Sequence, residues 1–362
     1  MPNELQPDPP IRCRNYRIGC IGAGFIMADV QLDAYRRAGF PVVAIASRTP
    51  AHARDVAQRW GIPRVHDDPH HLLEDPEVQI VDLAFPPDQQ PDLIRQALRQ
   101  PHVRAILAQK PLALDLASAR AVVQEAAGTD KLLSVNQNMR FDQSMRVLKQ
   151  LLTRGDLGEP VLGTIDMRAI PHWQPFLEAY ERLTLLNMSI HHLDVLRYLF
   201  GDPEEIFTAV RPDPRTKFGH RDGICVSTLR FPGGTLAVSL DDVWGGPREE
   251  GFASELYIRW RVEGTEGLAC GTIGWPDYPA GSPSTLRFNS RVTTGGQWVE
   301  PAWSTRWFPD AFIGVMEQLQ YAVDVATEPE LSAVDNLKTM ALVEAAYRSA
   351  AENRPVRLQE LL

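Results

Sequence analysis

YRIGCIGAGFIMADVQLDAYRRAG, residues 16–39, decides how the first half of the chain folds. Residues 16–25 are a short apolar run ending in glycines, the pattern of a buried strand that enters a tight turn. From Met27 apolar residues return at helical spacing, and Gly39 is placed to cap that helix. Gly22 permits the tight turn, and Gly24 lets the backbone approach a phosphate. The helix opening beside Phe25 and Ile26 offers unpaired N–H groups and the positive end of a dipole. Met27 stands where a third glycine is usual. A glycine turn in a first strand–turn–helix unit points to a bound dinucleotide.

Working outward, apolar runs at 42–47, 78–85, 103–109 and 131–137 read as further strands. They alternate with helical stretches at 50–61, 92–100 and 114–128. This alternation implies right-handed crossovers and a parallel sheet. Ligands of such sheets lie at the carboxyl ends of the strands, so Ser47, Arg48, Phe85, Pro86, Gln90 and Gln137 are candidate cofactor contacts. An acid at the end of the second strand would repel a 2′-phosphate. Ser47-Arg48 instead tolerates NADP as well as NAD, and Arg48 can neutralise a phosphate or stack on adenine.

After about residue 140 the pattern changes. A helix over 141–155 leads to a long strand at 161–170, and 204–300 alternates apolar and polar residues as an antiparallel sheet with one covered face would. Helical stretches at 312–327 and 333–352 close the chain. The 362 residues therefore divide into a proline-rich tail (1–14), a dinucleotide-binding domain (15–138) and a second α/β domain (139–362). The last helices are candidates to pack back on the first domain.

Composition excludes several classes. No apolar run is long enough to span a membrane, and a net charge of −9 disfavours nucleic acid. Four cysteines without a C-x-x-C pair read as free thiols in a reducing cytoplasm. Neither they nor the acidic residues show the spacing of a metal site, so no metal is expected.

With the glycine turn, AQKPLALD (108–115) and LNMSIHHLDVLRYLFG (185–200) in view, the chain resembles the glucose–fructose oxidoreductase / inositol dehydrogenase / MocA family from about residue 15 onward. The resemblance implies an N-terminal Rossmann domain and a C-terminal α/β domain with a large, open, mostly antiparallel sheet. The outer face of that sheet is expected to join subunits of a homo-oligomer, with Trp260 assigned to the interface. In the family a Glu-Lys-Pro motif closes a strand near the nicotinamide. Gln109-Lys110-Pro111 keeps the lysine and the proline and turns the acid into an amide. The resemblance makes Lys110 the group that polarises a substrate hydroxyl and sets Gln109 and Lys110 beside the cofactor. An X-Pro bond also permits a cis peptide there.

The family's second motif is an aspartate with a histidine four residues later, matched here by Asn187 and His191. Helical geometry makes the same choice of histidine. Asn187, His191, Asp194 and Tyr198 fall in a stripe roughly 60° wide, whereas His192 lies with the apolar arc as a packed histidine with one satisfied nitrogen. His191 is the expected general base, and Asn187 orients the hydroxyl or the imidazole. Asp194 either supplies the missing carboxylate or pairs with Arg140 or Arg197. In RAIPHWQPF (168–176), Arg168, His172 and Trp173 are expected to meet a sugar, and Asp241-Asp242 is a second candidate for hydroxyl contacts.

These readings describe an NAD(P)-dependent oxidoreductase acting on a CH–OH carbon of an aldose or cyclitol. Two alternatives stay open: an NAD-using glycosidase of the same fold, and a non-catalytic dinucleotide-binding sensor, suggested by Gln109 and Asn187.

Overall fold

The computed structural model describes residues 5–169, 178–216, 218–243, 255–274 and 281–362. They form two compact units, one of residues 9–138 with 309–340, the other of the described residues within 5–8, 139–308 and 341–362.

The first unit holds a six-stranded parallel sheet: β1 (Ile18–Ile21), β2 (Val42–Ala46), β3 (Arg64–His66), β4 (Ile80–Leu83), β5 (Ala105–Ala108) and β6 (Leu132–Val135), in the order β3-β2-β1-β4-β5-β6. The connecting helices are α1 (Leu32–Ala38), α2 (Pro50–Trp60), α3 (Pro69–Leu73), α4 (Gln90–Arg99) and α5 (Leu116–Ala127). The edge strand β3 and the short α3 are absent from the sequence reading. All three residues of β3 are only half-buried, so no apolar run marks it. The helix expected from Met27 opens instead with a π-helical turn, Ile26–Gln31. This wider turn spans the position where Met27 replaces the usual glycine, and Met27 is fully buried there.

Two further segments complete this unit. Residues 9–14, expected as part of a loose tail, are tied down by a two-pronged pairing of Arg12 with Glu317, both contacts at 2.9 Å. Glu317 belongs to α8 (Ala311–Val325). The backbone N–H of Val135 donates to the carbonyl of Leu331 at 2.9 Å, extending the edge of the sheet.

Inside β4 sits Asp82, fully buried in an otherwise apolar strand. Its carboxyl accepts from Tyr35 Oη at 2.7 Å and Gln31 Nε2 at 2.8 Å, one helical turn apart. Burial outweighs these bonds and pushes the Asp82 carboxyl up to about 7. The native state then holds a proton that the unfolded chain releases from about pH 4, so stability falls as pH rises from there and levels off above about pH 7. Asp82→Asn is expected to flatten that slope, as read by urea unfolding on either side of the window.

The second unit carries an eight-stranded sheet in the order β13-β12-β11-β7-β10-β9-β8-β14. Its strands are β7 (Pro160–Arg168), β8 (Glu205–Arg211), β9 (Ile224–Arg230), β10 (Leu236–Asp242), β11 (Tyr257–Gly264), β12 (Gly267–Ile273), β13 (Thr285–Ser290) and β14 (Val356–Arg357). The β7–β10 pair runs parallel and the other pairs antiparallel. Helices α6 (Gln143–Thr153) and α7 (Ile190–Phe200) cover one face, and α9 (Ala333–Glu352) ends in this unit. α7 comes close to β7 at Gly163, where a Cβ would stand 2.7 Å from the Phe200 ring. Trp260, expected at a subunit interface, is buried on the helix-covered face, where its indole N–H donates to Ser144 Oγ at 3.2 Å.

Candidate active site

In the first unit the glycine turn has the geometry its sequence implies. Gly22 adopts φ +119°, and a Cβ there would stand 2.4 Å from the carbonyl oxygen of Ala84, so only glycine fits. A Cβ at Gly24 would meet nothing within 4 Å, so this chain's own packing does not require glycine there. Its exposed backbone, at the head of the helical segment Ile26–Ala38, suits the close approach of a pyrophosphate. Phe25 and Ile26 are half-buried beside it. After β2, Ser47 is half-buried and Arg48 exposed. The Arg48 guanidinium lies 5.2 Å from the centre of the Phe85 ring, which joins two expected cofactor residues in one contact. Pro86 is half-buried, and its carbonyl accepts the N–H groups of Gln89 and Gln90 at the start of α4.

Lys110 follows β5 at the carboxyl edge of the same sheet, with a cis peptide to Pro111. It is half-buried, and desolvation pulls its ammonium down to about 7. Gln109 accepts the Lys110 N–H on Oε1 at 3.1 Å. Gln90, expected to touch the cofactor, is fully buried and uses its amide on the backbone of residues 109–112 instead. The amide of Gln137, beyond the end of β6, is buried without a hydrogen-bond partner among the described residues, as is Gln109 Nε2. Buried amides left in this way suit a ligand with donors and acceptors of its own, such as a carboxamide. The donor set therefore fits a nicotinamide dinucleotide.

In the second unit α7 separates the two histidines. It is preceded by a π-helical turn, Leu185–Ser189, that carries Asn187. His191 and Asn187 are both about nineteen-twentieths buried, at 5% and 6% exposure. The His191 imidazole meets the indole of Trp307 edge-on, with ring centres 6.2 Å apart. Sequence reading missed Trp307, because it lies in an aperiodic stretch with nothing to link it to α7. His192 is fully buried, with Nδ1 2.6 Å from Asp241 and Nε2 without a partner among the described residues. It is the packed histidine with one satisfied nitrogen that its helical position predicts.

Several expected contacts are spent elsewhere. Both Asp194 oxygens lie 2.6 Å from the Arg140 guanidinium, a buried two-pronged ion pair, one of the two arrangements its sequence position left open. Asp241 is held between His192 and Ser239, and Asp242 pairs with Arg215, so neither is set aside for a hydroxyl. Arg168 alternates away from the buried Met167, pairs with Asp166 and lies over Tyr257. That arrangement ties it to Asp166 on its own strand and to Tyr257 on the neighbouring one. His172 and Trp173 lie outside the described residues.

Comparison with known proteins supports the two-domain fold. Residues 16–137 match the family model described as an oxidoreductase family with an NAD-binding Rossmann fold. Residues 145–269 match the GFO/IDH/MocA C-terminal domain. A D-apiose dehydrogenase of Rhizobium rhizogenes is 28% identical over 349 residues, covering 94% of this chain and 97% of the relative. A myo-inositol 2-dehydrogenase of Thermotoga maritima is 27% identical over 96% of this chain and 99% of the relative. A solved oxidoreductase from Agrobacterium radiobacter, in complex with NAD+, L-tartaric acid and magnesium, superposes with a TM-score of 0.81 at 26% identity. That match spans 96% of this chain and 99% of the other.

Proposed function

Since the chain belongs to the Gfo/Idh/MocA oxidoreductase family, we propose that it is an NAD(P)-dependent dehydrogenase acting on a CH–OH carbon of a sugar, an aldose before a cyclitol. The observation that carries this reading is Lys110, a lysine drawn down to about 7 at the carboxyl edge of the sheet that bears the glycine turn. The names of the relatives, an apiose and an inositol dehydrogenase, support the substrate class.

A nicotinamide dinucleotide, when bound, supplies the acceptor for the hydrogen that leaves carbon with its electron pair. The Gly22–Ile26 turn would hold its pyrophosphate, Ser47 and Arg48 its ribose, and Gln109 and Gln137 its carboxamide. Lys110, protonated, donates to the substrate oxygen and stabilises the negative charge that develops there. His191 accepts the hydroxyl proton, and Asn187 orients the hydroxyl or the imidazole. The amide cannot stabilise imidazolium by charge, so His191 works without a carboxylate from that position. The outward row Leu236, Val238 and Leu240 of β10, beside Val226 of β9, is the surface offered to a second subunit.

The test is a panel of aldoses, cyclitols and their glycosides incubated with NAD or NADP, followed by the near-ultraviolet absorbance of reduced nicotinamide and by product analysis. Accumulation with an aldose supports the reading. Cleavage of a glycoside without accumulation would identify the NAD-using glycosidase. Dinucleotide binding without turnover across the panel would identify the sensor.

Arg48 sets the second expectation. Arg48→Glu is expected to weaken NADPH binding about 10- to 100-fold, the scale of a lost charged hydrogen bond, and to leave NADH binding nearly unchanged. Fluorescence titration with both reduced cofactors checks it, and an equal loss for the two would remove Arg48 from the 2′-position.

A further inference from the structure

We propose that Gln90 is a positioning residue that holds the Lys110 backbone in its working conformation, an inference that rests on the role given to Lys110 above. The ladder between β5 and β6 ends at Ala108 and Val135. Beyond it the backbone of residues 109–112 has no strand on which to spend its polar groups, and buried backbone groups need partners.

One side chain takes the place of that strand. Gln90 is fully buried at the first position of α4. Its Oε1 accepts the Gln109 N–H at 2.7 Å. Its Nε2 lies 2.8 Å from the carbonyl oxygen of Gln109, 3.1 Å from that of Leu112 and 3.3 Å from that of Pro111. These contacts bracket Lys110 on both sides, and the Gln109 side chain takes the Lys110 N–H. An amide is the one common side-chain group that presents an acceptor and two donors at a single end. A carboxylate would set negative charge against three carbonyl oxygens, and an apolar side chain would leave all four groups unpaired. A shift of about 1 Å in a reacting group costs on the order of 10²-fold in rate, so the fixing of this segment bears directly on turnover.

The experiment is a double-mutant cycle of Gln90→Met with Lys110→Met, reading kcat/KM against pH, NADH affinity and thermal stability. Gln90→Met is expected to lower kcat/KM by about 10- to 100-fold, to move the alkaline limb of the pH profile that belongs to Lys110, and to cost almost nothing further in the Lys110→Met background. A loss of the same size with and without Lys110, or an unmoved alkaline limb, overturns the proposal and leaves the role of Lys110 standing. If Lys110→Met retains full activity, the reading of Lys110 itself fails and the positioning role falls with it. Gln90→Glu serves as the second variant in case the methionine does not fold. It keeps the acceptor and regains a donor only when protonated, so its activity is expected to recover as pH falls. A wild-type profile in Gln90→Glu overturns the proposal.

Discussion

His191→Ala is expected to lower kcat by about 10²- to 10⁴-fold, the range lost with a positioned general base, while the protein folds and binds NADH as before. The imidazole is buried against the Trp307 edge, and the groups assigned to the dinucleotide all lie on other elements. The loss should therefore fall on turnover, and the acid limb of the kcat/KM profile should vanish with it. His192 provides the internal control. Its Nδ1 meets Asp241 inside the second unit, so His192→Ala strands a buried carboxylate and is expected to destabilise the fold by about 1–3 kcal/mol. The acid limb should survive in whatever fraction remains folded. Urea unfolding and pH–rate profiles of the two variants separate a histidine that moves a proton from one that holds a strand. If His192→Ala abolished the limb and His191→Ala kept it, the assignment would reverse.

Lys110→Met is expected to lower kcat/KM by about 10²- to 10³-fold, the scale of losing one donor to a developing oxyanion. Burial brings the ammonium down to about 7, so the charged form that donates to the substrate oxygen is depleted as pH rises through that value. The wild-type profile should fall on its alkaline side near there. Lys110→Met should lack that limb, and Lys110→Arg, which stays charged, should shift it upward even where its rate is low. An alkaline limb that persists unmoved in Lys110→Met would assign it to another group.

Much of this was legible in the chain before any coordinates. Gly22, Gly24, the run of short apolar strands and Lys110-Pro111 are local signals, each written in neighbouring residues, and the structure places them on one parallel sheet. The choice between the two histidines was also local, because position on a helix follows from counting. What escaped notice depended on distant partners. Asp82 reads as an interruption in an apolar strand until Gln31 and Tyr35 are seen to close over it. Asp194 was open to two readings, and the ion pair it makes depends on a guanidinium 54 positions away. Trp260 read as a surface aromatic because the Ser144 hydroxyl that receives its N–H lies on α6, 116 positions earlier.

By itself, then, the sequence determined the parallel-sheet class and the glycine turn, because periodicity and turn propensity act within a few residues, and through the family resemblance it singled out Lys110 and His191 as candidates. Only the tertiary structure decided how each polar side chain is spent. It committed Asp194 to Arg140, Asp241 to His192 and Gln90 to the Lys110 backbone, and left the Gln137 amide without a partner among the described residues. The physical reason is that a buried polar group must find a complement, and the residue that supplies it is set by how strands and helices pack rather than by its neighbours in the chain.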